Sequence, residues 1–366
     1  MTNVADRGTL TWATRADLTK TVLAPAKASG LLLSSPTADV VVPLTEDGRA
    51  HAGRLTRSAL SGAGLAPGDR VVVALGNDYD LGGARIAEAA AEVADAAVAV
   101  GPRGRMRLLE VLERTSANVL VATPTGAADL LARLHMEFLV DPLDLELRLL
   151  VLTGEIADDK TYRHLAAEFG AEVVELWTDP VTGIPLAHRD ADRLVPVEPS
   201  LLAVAALDQD VLLDPPSQGE LVVRHGWHAE LSGVALRTGF VVDVDESGAL
   251  LAPRRTVGDA ILVRGRWLSL NAVGKALAKI DGITHWRFDI SRKGTLDTAV
   301  LTVSFGRESL VRNGMWKGRI EQALTALTPV KISVDVAEDV REDVAPPEIV
   351  DHRGQHLGID RADAAS

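Results

Sequence analysis

The chain of 366 residues contains no cysteine. Disulfides, thiolate metal ligands, a cysteine nucleophile and an enzyme-bound thioester are therefore excluded. Aromatic residues are also scarce, at 4% of the chain, whereas 47% of its residues are hydrophobic. The core must consist mainly of Val, Leu, Ala and Ile, a composition that suits parallel strands buried beneath helices.

Basic clusters and long apolar runs are missing as well. The chain has 51 acidic and 38 basic side chains, for a net charge of −13, whereas duplex nucleic acids require a basic surface. No apolar run approaches the roughly 20 residues of a membrane-spanning helix, and the first residues lack the pattern of a signal peptide. We expect a cytoplasmic protein that binds neither nucleic acid nor membrane.

Short apolar runs alternate with helical patterns over the first half of the chain. Strands are predicted at 38–44, 70–75, 96–100, 118–122, 148–152 and 171–176. Helices are predicted at 53–63, 81–95, 106–114, 127–135 and 158–169, and a turn at 46–48. This alternation predicts an α/β fold with parallel sheets flanked by helices. Ligands of such sheets bind where the strands end, so the loops after the strands are expected to face one crevice.

The pattern changes twice in the second half. From about 180 to 258, turns rich in Pro, Gly and Asp separate short strands, which predicts a β subdomain. Residues 259–366 predict a small α+β domain that ends in an irregular tail from residue 340. We therefore expect two domains, a large one over 1–258 and a small one over 259–366.

The most specific pattern is Arg-Thr-Gly-Phe at 237–240, followed by Asp259 and then Arg-Gly at 264–265. Four shorter motifs precede it in order, namely Leu-Ala-Pro-Gly-Asp-Arg-Val at 65–71, Thr-Gly-Glu at 153–155, Thr-Gly-Ile-Pro-Leu at 182–186 and Gln-Gly-Glu-Leu-Val at 218–222. Together these motifs resemble the adenylate-forming ligases, in particular the phenylacetate–coenzyme A ligase branch. The resemblance covers roughly residues 12 to 340.

The resemblance implies a large N-terminal domain and a mobile C-terminal lid, with Asp259 as the hinge. It also implies ATP and Mg²⁺ as cofactors and coenzyme A as an acyl acceptor. Asp179 would hold Mg²⁺, and Arg237 would contact a phosphate. The remaining positions that it assigns to the nucleotide site are Ser34, Ser35, Thr37, Gly154, Glu155, Trp177, Thr178 and Phe240.

Several of these positions depart from the family's residues, and the departures concern the nucleotide. Phe240 stands where the family has the Asp that holds the ribose, and Trp177 replaces a glycine. Asp39 adds a carboxylate to the loop that would cradle phosphates. The family's catalytic lysine has no counterpart in 344–353, where Arg353 is the nearest cation and Lys331 lies too early.

Two further groups have two readings each. His225 and His228 could be ligands or acid–base groups that titrate near neutral pH, or they could belong to a polar loop that follows the strand at 219–224. Tyr79, between Asp78 and Asp80, follows a predicted strand. The resemblance places this region at an aromatic-acid pocket, and the alternative is a solvated loop.

Two functions follow from the sequence. The first is an enzyme like phenylacetate–CoA ligase that activates an aromatic or polyketide-like carboxylate for biosynthesis, with atypical use of ATP. The second is a non-adenylating relative that binds a carboxylate, an acyl-thioester or a partner protein, or that catalyses another reaction. The expected partners are a small acyl carboxylate and either coenzyme A or a carrier protein. The protein could also form a homodimer.

Overall fold

The computed structural model describes residues 10–21, 30–34, 41–77, 81–294, 296–328 and 330–365. The chain divides into two compact units, Met1–Arg254 and Arg255–Ser366. The predicted boundary, between residues 258 and 259, lies four residues after the boundary in the structure, between Arg254 and Arg255. No helix in the described ranges has the length and the apolar character needed to cross a membrane.

The first unit contains thirteen described strands and six described α-helices. The strands are β1 (Thr11–Thr14), β2 (Leu31–Ser34), β3 (Val41–Leu44), β4 (Arg70–Val73), β5 (Ala96–Ala99), β6 (Val119–Ala122), β7 (Leu149–Thr153), β8 (Glu172–Thr178), β9 (Pro185–Asp190), β10 (Arg193–Pro196), β11 (Leu202–Ala205), β12 (Gly219–Arg224) and β13 (Val234–Val242). The helices are α1 (Arg15–Thr21), α2 (Glu46–Gly62), α3 (Gly83–Ala91), α4 (Arg105–Thr115), α5 (Pro124–Arg133) and α6 (Asp159–Phe169).

A seven-stranded sheet forms the centre of the first unit, in the order β10-β9-β8-β7-β6-β4-β5. Strands β4 to β8 are parallel. Alternate residues of these strands serve two different cores: Leu120 and Leu150 pack with α4, α5 and α6, whereas Val121 and Val151 pack with α2 and α3. This arrangement confirms the predicted α/β fold with helices on both faces of a parallel sheet.

Two local predictions in this unit are wrong. Residues 46–48 do not form a turn but the first turn of α2, because the Thr45 hydroxyl accepts a hydrogen bond from Gly48 N at 3.2 Å and caps the helix. Residues 185–196 do not belong to a separate β subdomain, since β9 and β10 extend the central sheet as an antiparallel edge.

The remaining long strands of the first unit form a second sheet in the order β1-β13-β12-β11. Strand β1 runs parallel to β13 and pairs Thr14 with Arg237. The pairing of β1 was not predicted, because its partner lies more than two hundred residues away and no local pattern reports it.

A cluster around the buried carboxylate of Asp69 holds the amino-terminal edge of the central sheet together. Asp69 precedes β4 and accepts hydrogen bonds from Arg148 Nε at 2.7 Å, from Asn118 Nδ2 at 3.1 Å and from Ala66 N at 2.8 Å. Asn118 and Arg148 precede β6 and β7. This is the structural role of the Pro-Gly-Asp motif, and it lies at the opposite edge from the expected crevice.

The second unit contains β14 (Arg255–Thr256), β15 (Ala260–Val263), β16 (Arg266–Ser269), α7 (Leu270–Leu277), β17 (Ile283–Lys293), β18 (Leu296–Phe305), α8 (Glu308–Val311), α9 (Met315–Thr325), β19 (Ile332–Val336), β20 (Glu348–Asp351) and α10 (Arg361–Ala364). Its main sheet has the order β19-β18-β17-β20, and residues of α7 and α9 share its core. The two-layer α+β unit agrees with the prediction. The irregular tail does not, because β20 adds a parallel strand beside β17.

One buried carboxyl group in β8 makes stability depend on pH. Glu175 accepts a hydrogen bond from the Tyr162 hydroxyl at 2.6 Å. Burial raises the pKa of Glu175 to about 6, although Tyr162 and Arg189 oppose the shift. A pKa above the unfolded-state value of 4.5 means that the folded state favours the proton, so stability is lost as the pH rises from about 4.5 to 6.

We expect Glu175→Gln to remove this loss. The amide oxygen can still accept the Tyr162 hydrogen bond, and the free energy of unfolding above pH 6 should rise by about 2 kcal/mol, from about 1.4 kcal/mol per pKa unit. Urea unfolding between pH 4.5 and pH 7.5 measures the effect. Glu168→Gln, at a half-exposed site on α6, is the control. Equal pH slopes in wild type and Glu175→Gln would contradict the assignment.

Candidate functional site

The carboxyl ends of the central parallel strands bring several predicted residues together. The hydroxyls of Thr153, at the end of β7, and Thr178, at the end of β8, lie 2.7 Å apart and are buried. Gly154 has a φ of +84°, and a side chain there would clash with Leu81. Only glycine allows the chain to turn this closely past Leu81.

Glu155 also lies at this edge of the sheet, in the loop that follows β7. Its carboxylate accepts hydrogen bonds from the hydroxyl of Thr125 at 2.6 Å and from Thr125 N at 3.0 Å. Thr125 lies in the first turn of α5, where the backbone N–H groups lack helical partners. Glu155 therefore ties the loop after β7 to α5, and its predicted contact with adenine stays a prediction.

Asp179, which follows β8, is fully buried. One carboxylate oxygen accepts a hydrogen bond from Val181 N at 3.0 Å. The other accepts from Thr182 N, from the Thr182 hydroxyl at 2.5 Å and from His225 Nε2 at 2.7 Å. The carboxylate thus stabilises the turn after β8 through both of its oxygens and binds His225 through one of them. No cluster of three or more His, Asp or Glu suited to a metal ion occurs in the described part of the chain. A magnesium ion at Asp179 would have to compete with these hydrogen bonds, and its predicted role as a ligand stays a prediction.

Burial alone would raise the pKa of Asp179, but the interactions with His225, Thr182 and Val181 N outweigh it and leave the pKa below its ordinary value. Asp179 is therefore ionised at neutral pH. A buried carboxylate is tolerated because four donors surround it.

His225 and His228 lie in the turn that follows β12, as the loop reading placed them, and both are buried. His228 Nδ1 accepts from Glu230 N at 3.2 Å and from Leu231 N at 3.3 Å, which places the ring proton on Nε2. Burial, followed by the neighbouring His225, lowers the pKa of His228 to about 4. A neutral ring whose acceptor nitrogen is occupied does not act as a general base near pH 7.

The rings around Asp179 leave several nitrogen atoms without hydrogen bonds. Trp227 lies between His225 and His228, with ring centroids 6.0 and 5.3 Å away. Within the described part of the chain, the ring nitrogens that are buried here without a hydrogen-bond partner are His225 Nδ1, Trp227 Nε1 and Trp177 Nε1.

Trp177 and Phe240 come from different sheets and contact each other. Both side chains are buried, and their ring centroids lie 5.8 Å apart at an interplanar angle of 71°. This is the favourable edge-to-face arrangement of aromatic rings. Two aromatic side chains therefore fill the position where the resemblance places a glycine and a ribose-binding aspartate.

Arg237 is buried in β13, and protein oxygen atoms occupy its guanidinium. Its nitrogen atoms donate to the carboxylates of Asp210 at 2.9 Å and Glu220 at 2.7 Å, to the carbonyl of Ala206 twice at 3.1 Å, and to the carbonyl of Gln209. A guanidinium has five N–H donors, and all five are used. The predicted phosphate contact of Arg237 would require breaking this arrangement.

The candidate replacement for the family's lysine is also engaged. The Arg353 side chain is 3% exposed. It donates to Asp297 at 2.6 Å and to Asp351 at 2.9 and 3.0 Å. Two buried carboxylates hold this guanidinium within the second unit, so Arg353 is not a mobile cation. Asp259, the predicted hinge, accepts hydrogen bonds from Leu270 N at 2.9 Å and from the Asn271 amide at 3.0 Å.

Other predicted positions lie outside the described residues. These are Ser35, Thr37 and Asp39 of the phosphate loop, together with Asp78, Tyr79 and Asp80. Ser34 ends β2, and its side chain is not described. Among the positions that are described, the side chains at 177, 179, 237 and 240 do not fit a bound ATP·Mg²⁺, because ring contacts or protein hydrogen bonds already occupy them.

Sequence reasoning missed Glu220 and Arg85. Glu220 is fully buried in β12, and it also accepts from Gly239 N at 2.9 Å. A charged residue inside an otherwise apolar strand, beside a strand with a lone arginine, was the available signal. Arg85 lies on α3 and contacts the turn after β8 through the Thr182 carbonyl at 2.9 Å.

Comparisons with known proteins give a consistent result for the fold. No family model matches the chain, and no curated protein matches it. A 2-hydroxyisobutyryl-CoA ligase in complex with 2-HIB-AMP and CoA superposes with a TM-score of 0.77 at 16% identity, over 93% of this chain and 80% of the ligase.

Two further solved structures are similar to this chain. The amide bond synthetase McbA from Marinactinospora thermotolerans has a TM-score of 0.65 at 18% identity, over 85% of this chain and 65% of the synthetase. A malonyl-CoA ligase with methylmalonyl-CoA and AMP bound has a TM-score of 0.60 at 17% identity, over 85% and 71%. Together with the sheet order, these similarities show that the chain has the fold of the adenylate-forming ligases.

Proposed function

We propose that the protein is a relative of the phenylacetate–coenzyme A ligases that binds an aromatic or polyketide-like acyl carboxylate and does not adenylate it with ATP in the ordinary way. The observation that carries this proposal is the contact between Trp177 and Phe240. Their rings meet edge to face 5.8 Å apart. Ribose hydroxyls need a hydrogen-bond acceptor, and an aromatic hydrocarbon ring offers none.

Three charged groups support the same proposal. Catalysis of acyl and phosphoryl transfer depends on cations and donors that point at the developing charge. Arg237 and Arg353 instead donate to protein carboxylates, and Asp179 accepts four protein hydrogen bonds. Each group would have to give up these buried partners before it could serve a nucleotide or a metal ion.

The residues that remain suited to binding lie at the ends of β4, β7 and β8. Gly154 allows the chain to pass close to Leu81. The hydroxyls of Thr153 and Thr178 form a hydrogen bond where β7 and β8 end. Ligands of doubly wound α/β sheets bind at this edge. The acyl group would be held beside this edge of the sheet, as a free acid or as a thioester of coenzyme A or a carrier protein, in a monomer or a homodimer.

A second candidate function is an AMP-forming CoA ligase that handles ATP through different residues. The match over 93% of this chain to a ligase whose structure contains an acyl-AMP and CoA favours it. In that case the nucleotide would displace the Trp177 ring from Phe240 on binding.

Nucleotide binding separates the two functions. By calorimetry with ATP and Mg²⁺ at millimolar concentration we expect no measurable binding. We also expect no pyrophosphate release with a panel of aromatic and aliphatic acids. A double variant, Trp177→Gly with Phe240→Asp, removes the obstructing ring and supplies the ribose acceptor. It should bind ATP at least about tenfold more tightly, because one charge-assisted hydrogen bond contributes about 1.5–3 kcal/mol.

The control is Trp177→Gly with Phe240→Leu, which opens the same space without adding a carboxylate. It should not gain ATP binding. Tight ATP binding by the wild type that Phe240→Asp leaves unchanged would mean that the ribose site lies elsewhere. Pyrophosphate release by the wild type with any acid of the panel would overturn the proposal in favour of the ligase.

A further inference from the structure

A cavity of about 860 Å³ opens beside the turn that follows β8. Its walls come from β2, from the end of β3, from α2 between Glu46 and Arg57, from α3 and from Gly183 and Ile184. Asn77 and Gly82, which follow β4, also line it. The cavity therefore adjoins the carboxyl edge of the central sheet, and all of its lining residues belong to the first unit.

The walls of this cavity combine apolar and charged side chains. Leu33, Leu44, Ile86 and Ile184 line it and are buried. The carboxylates that line it belong to exposed residues, Glu46, Glu88 and Glu92, and Glu92 is paired with Arg57 at 2.6 Å. The four buried residues thus offer an apolar surface within a cavity large enough for an organic molecule of moderate size.

Arg85 is the exception among these wall residues. Its Nη2 donates to the carbonyl of Thr182 at 2.9 Å, while Nη1 is shielded from solvent and lacks a hydrogen-bond partner. Among the described residues, no carboxylate lies within ion-pair distance of this guanidinium. Burial lowers the pKa of Arg85, and Glu88, one turn along the helix, offsets this only in part.

Two buried arginines among the described residues each have an anionic partner. Arg237 pairs with Glu220 at 2.7 Å, and Arg353 pairs with Asp297 at 2.6 Å. A guanidinium withdrawn from water without a counter-charge is costly. Arg85 thus has the donor groups and the charge for an anion that the described protein residues do not supply.

We propose that the cavity beside α3 binds an organic carboxylate with an apolar body, and that Arg85 pairs with its carboxylate. This proposal rests on the proposed function, because it specifies where and how the acyl carboxylate binds. The apolar body would lie against Leu33, Leu44 and Ile184. The guanidinium would turn from the Thr182 carbonyl towards the cavity, where its planar fork matches a carboxylate.

The test uses the full-length protein without nucleotide and three anionic probes with apolar bodies, namely cinnamate, octanoate and anilinonaphthalene sulfonate. Calorimetry measures binding of the first two and fluorescence measures binding of the third. We expect at least one to bind at millimolar concentration or below. The neutral amide of the probe that binds, or for the sulfonate its sulfonamide, should bind about tenfold more weakly, as for the loss of one charge-assisted hydrogen bond.

Arg85→Met retains an apolar stem and removes the charge. It should reduce binding of the anion about tenfold and leave binding of the neutral amide unchanged. Arg49→Met removes a cation at an exposed residue of the cavity wall and should change binding less than about twofold, as for a screened surface charge. Unchanged circular dichroism and melting temperature establish that both variants fold.

Two results would overturn the proposal: no binding of any of the three probes, or equal anion binding by Arg85→Met and the wild type. An unfolded Arg85→Met would be replaced by Arg85→Lys, which keeps the charge without the planar fork and should weaken anion binding by a smaller factor. Failure here is distinct from failure of the proposed function, since pyrophosphate release concerns ATP and the anion probes are used without it.

Discussion

Arg237→Ala is expected to destabilise the first unit by about 3–5 kcal/mol, the usual cost of breaking a buried ion pair. The substitution leaves the Glu220 carboxylate buried without its counter-charge, and it frees the carbonyls of Ala206 and Gln209. It also removes the cation that lies 5.2 Å over the ring of Trp12. Hydrogen exchange of peptides from β11, β12 and β13, followed in urea, measures the loss within the first unit.

Two further variants separate a structural role of Arg237 from a role in binding phosphate. Asp210 is 60% exposed, so Asp210→Ala should cost less than about 1 kcal/mol. Arg237→Met combined with Glu220→Leu removes both buried charges and should recover much of the loss. If Arg237→Ala were as stable as the wild type but altered nucleotide or anion binding, the guanidinium would be a ligand contact.

Elements with a local sequence pattern could be predicted, whereas elements defined by partners elsewhere in the chain could not. Strands β4 to β8 were predicted because each is a short, buried apolar run bounded by turns, which is a local property. The fold class followed from their alternation with helices. Strands β1 and β20 were missed, because each is a short segment whose partner strand is distant in the sequence. Strand β9 was missed although it pairs with the preceding strand, β8.

The candidate site shows the same division. The motif at 237–240 drew attention to Arg237 and Phe240, which lie within β13. What these residues contact could not be predicted, since Glu220 and Trp177 reach them from other strands. A motif reports which residue types an ancestral site had, whereas the partners that now occupy each donor or ring face depend on the tertiary packing.

Burial of the histidines was beyond sequence reasoning for the same reason. A His-Gly-Trp-His segment after a strand is typical of a polar loop, yet Asp179 reaches His225 from the end of β8. The ring of His51, on α2, stacks on Trp227 at 5.8 Å. These contacts convert a polar sequence into a buried cluster whose ionisation is coupled to folding.

His228 makes the first unit sensitive to acid. Burial, followed by the neighbouring His225, lowers the pKa of His228 to about 4, below the unfolded-state value of about 6.5. The folded state therefore disfavours the proton, so the stability from the neutral ring is present above pH 6.5 and is lost as the pH falls towards 4. At about 1.4 kcal/mol per pKa unit, the loss is about 3 kcal/mol.

We expect His228→Asn to flatten this acid limb of the stability curve. The amide oxygen can take the place of Nδ1 as acceptor for Glu230 N and Leu231 N, and it does not titrate. Urea unfolding at intervals between pH 4 and pH 7.5 measures the slope of stability against pH. Burial likewise lowers the pKa of His356, in the second unit, to about 4. Hydrogen exchange of peptides from the first unit therefore separates the effect of His228 from that of His356.

His164→Asn, at a half-exposed position of α6, should keep the wild-type slope. An unchanged slope in His228→Asn would mean that the acid sensitivity arises elsewhere, and the Asp179–His225 pair would be the next group to substitute.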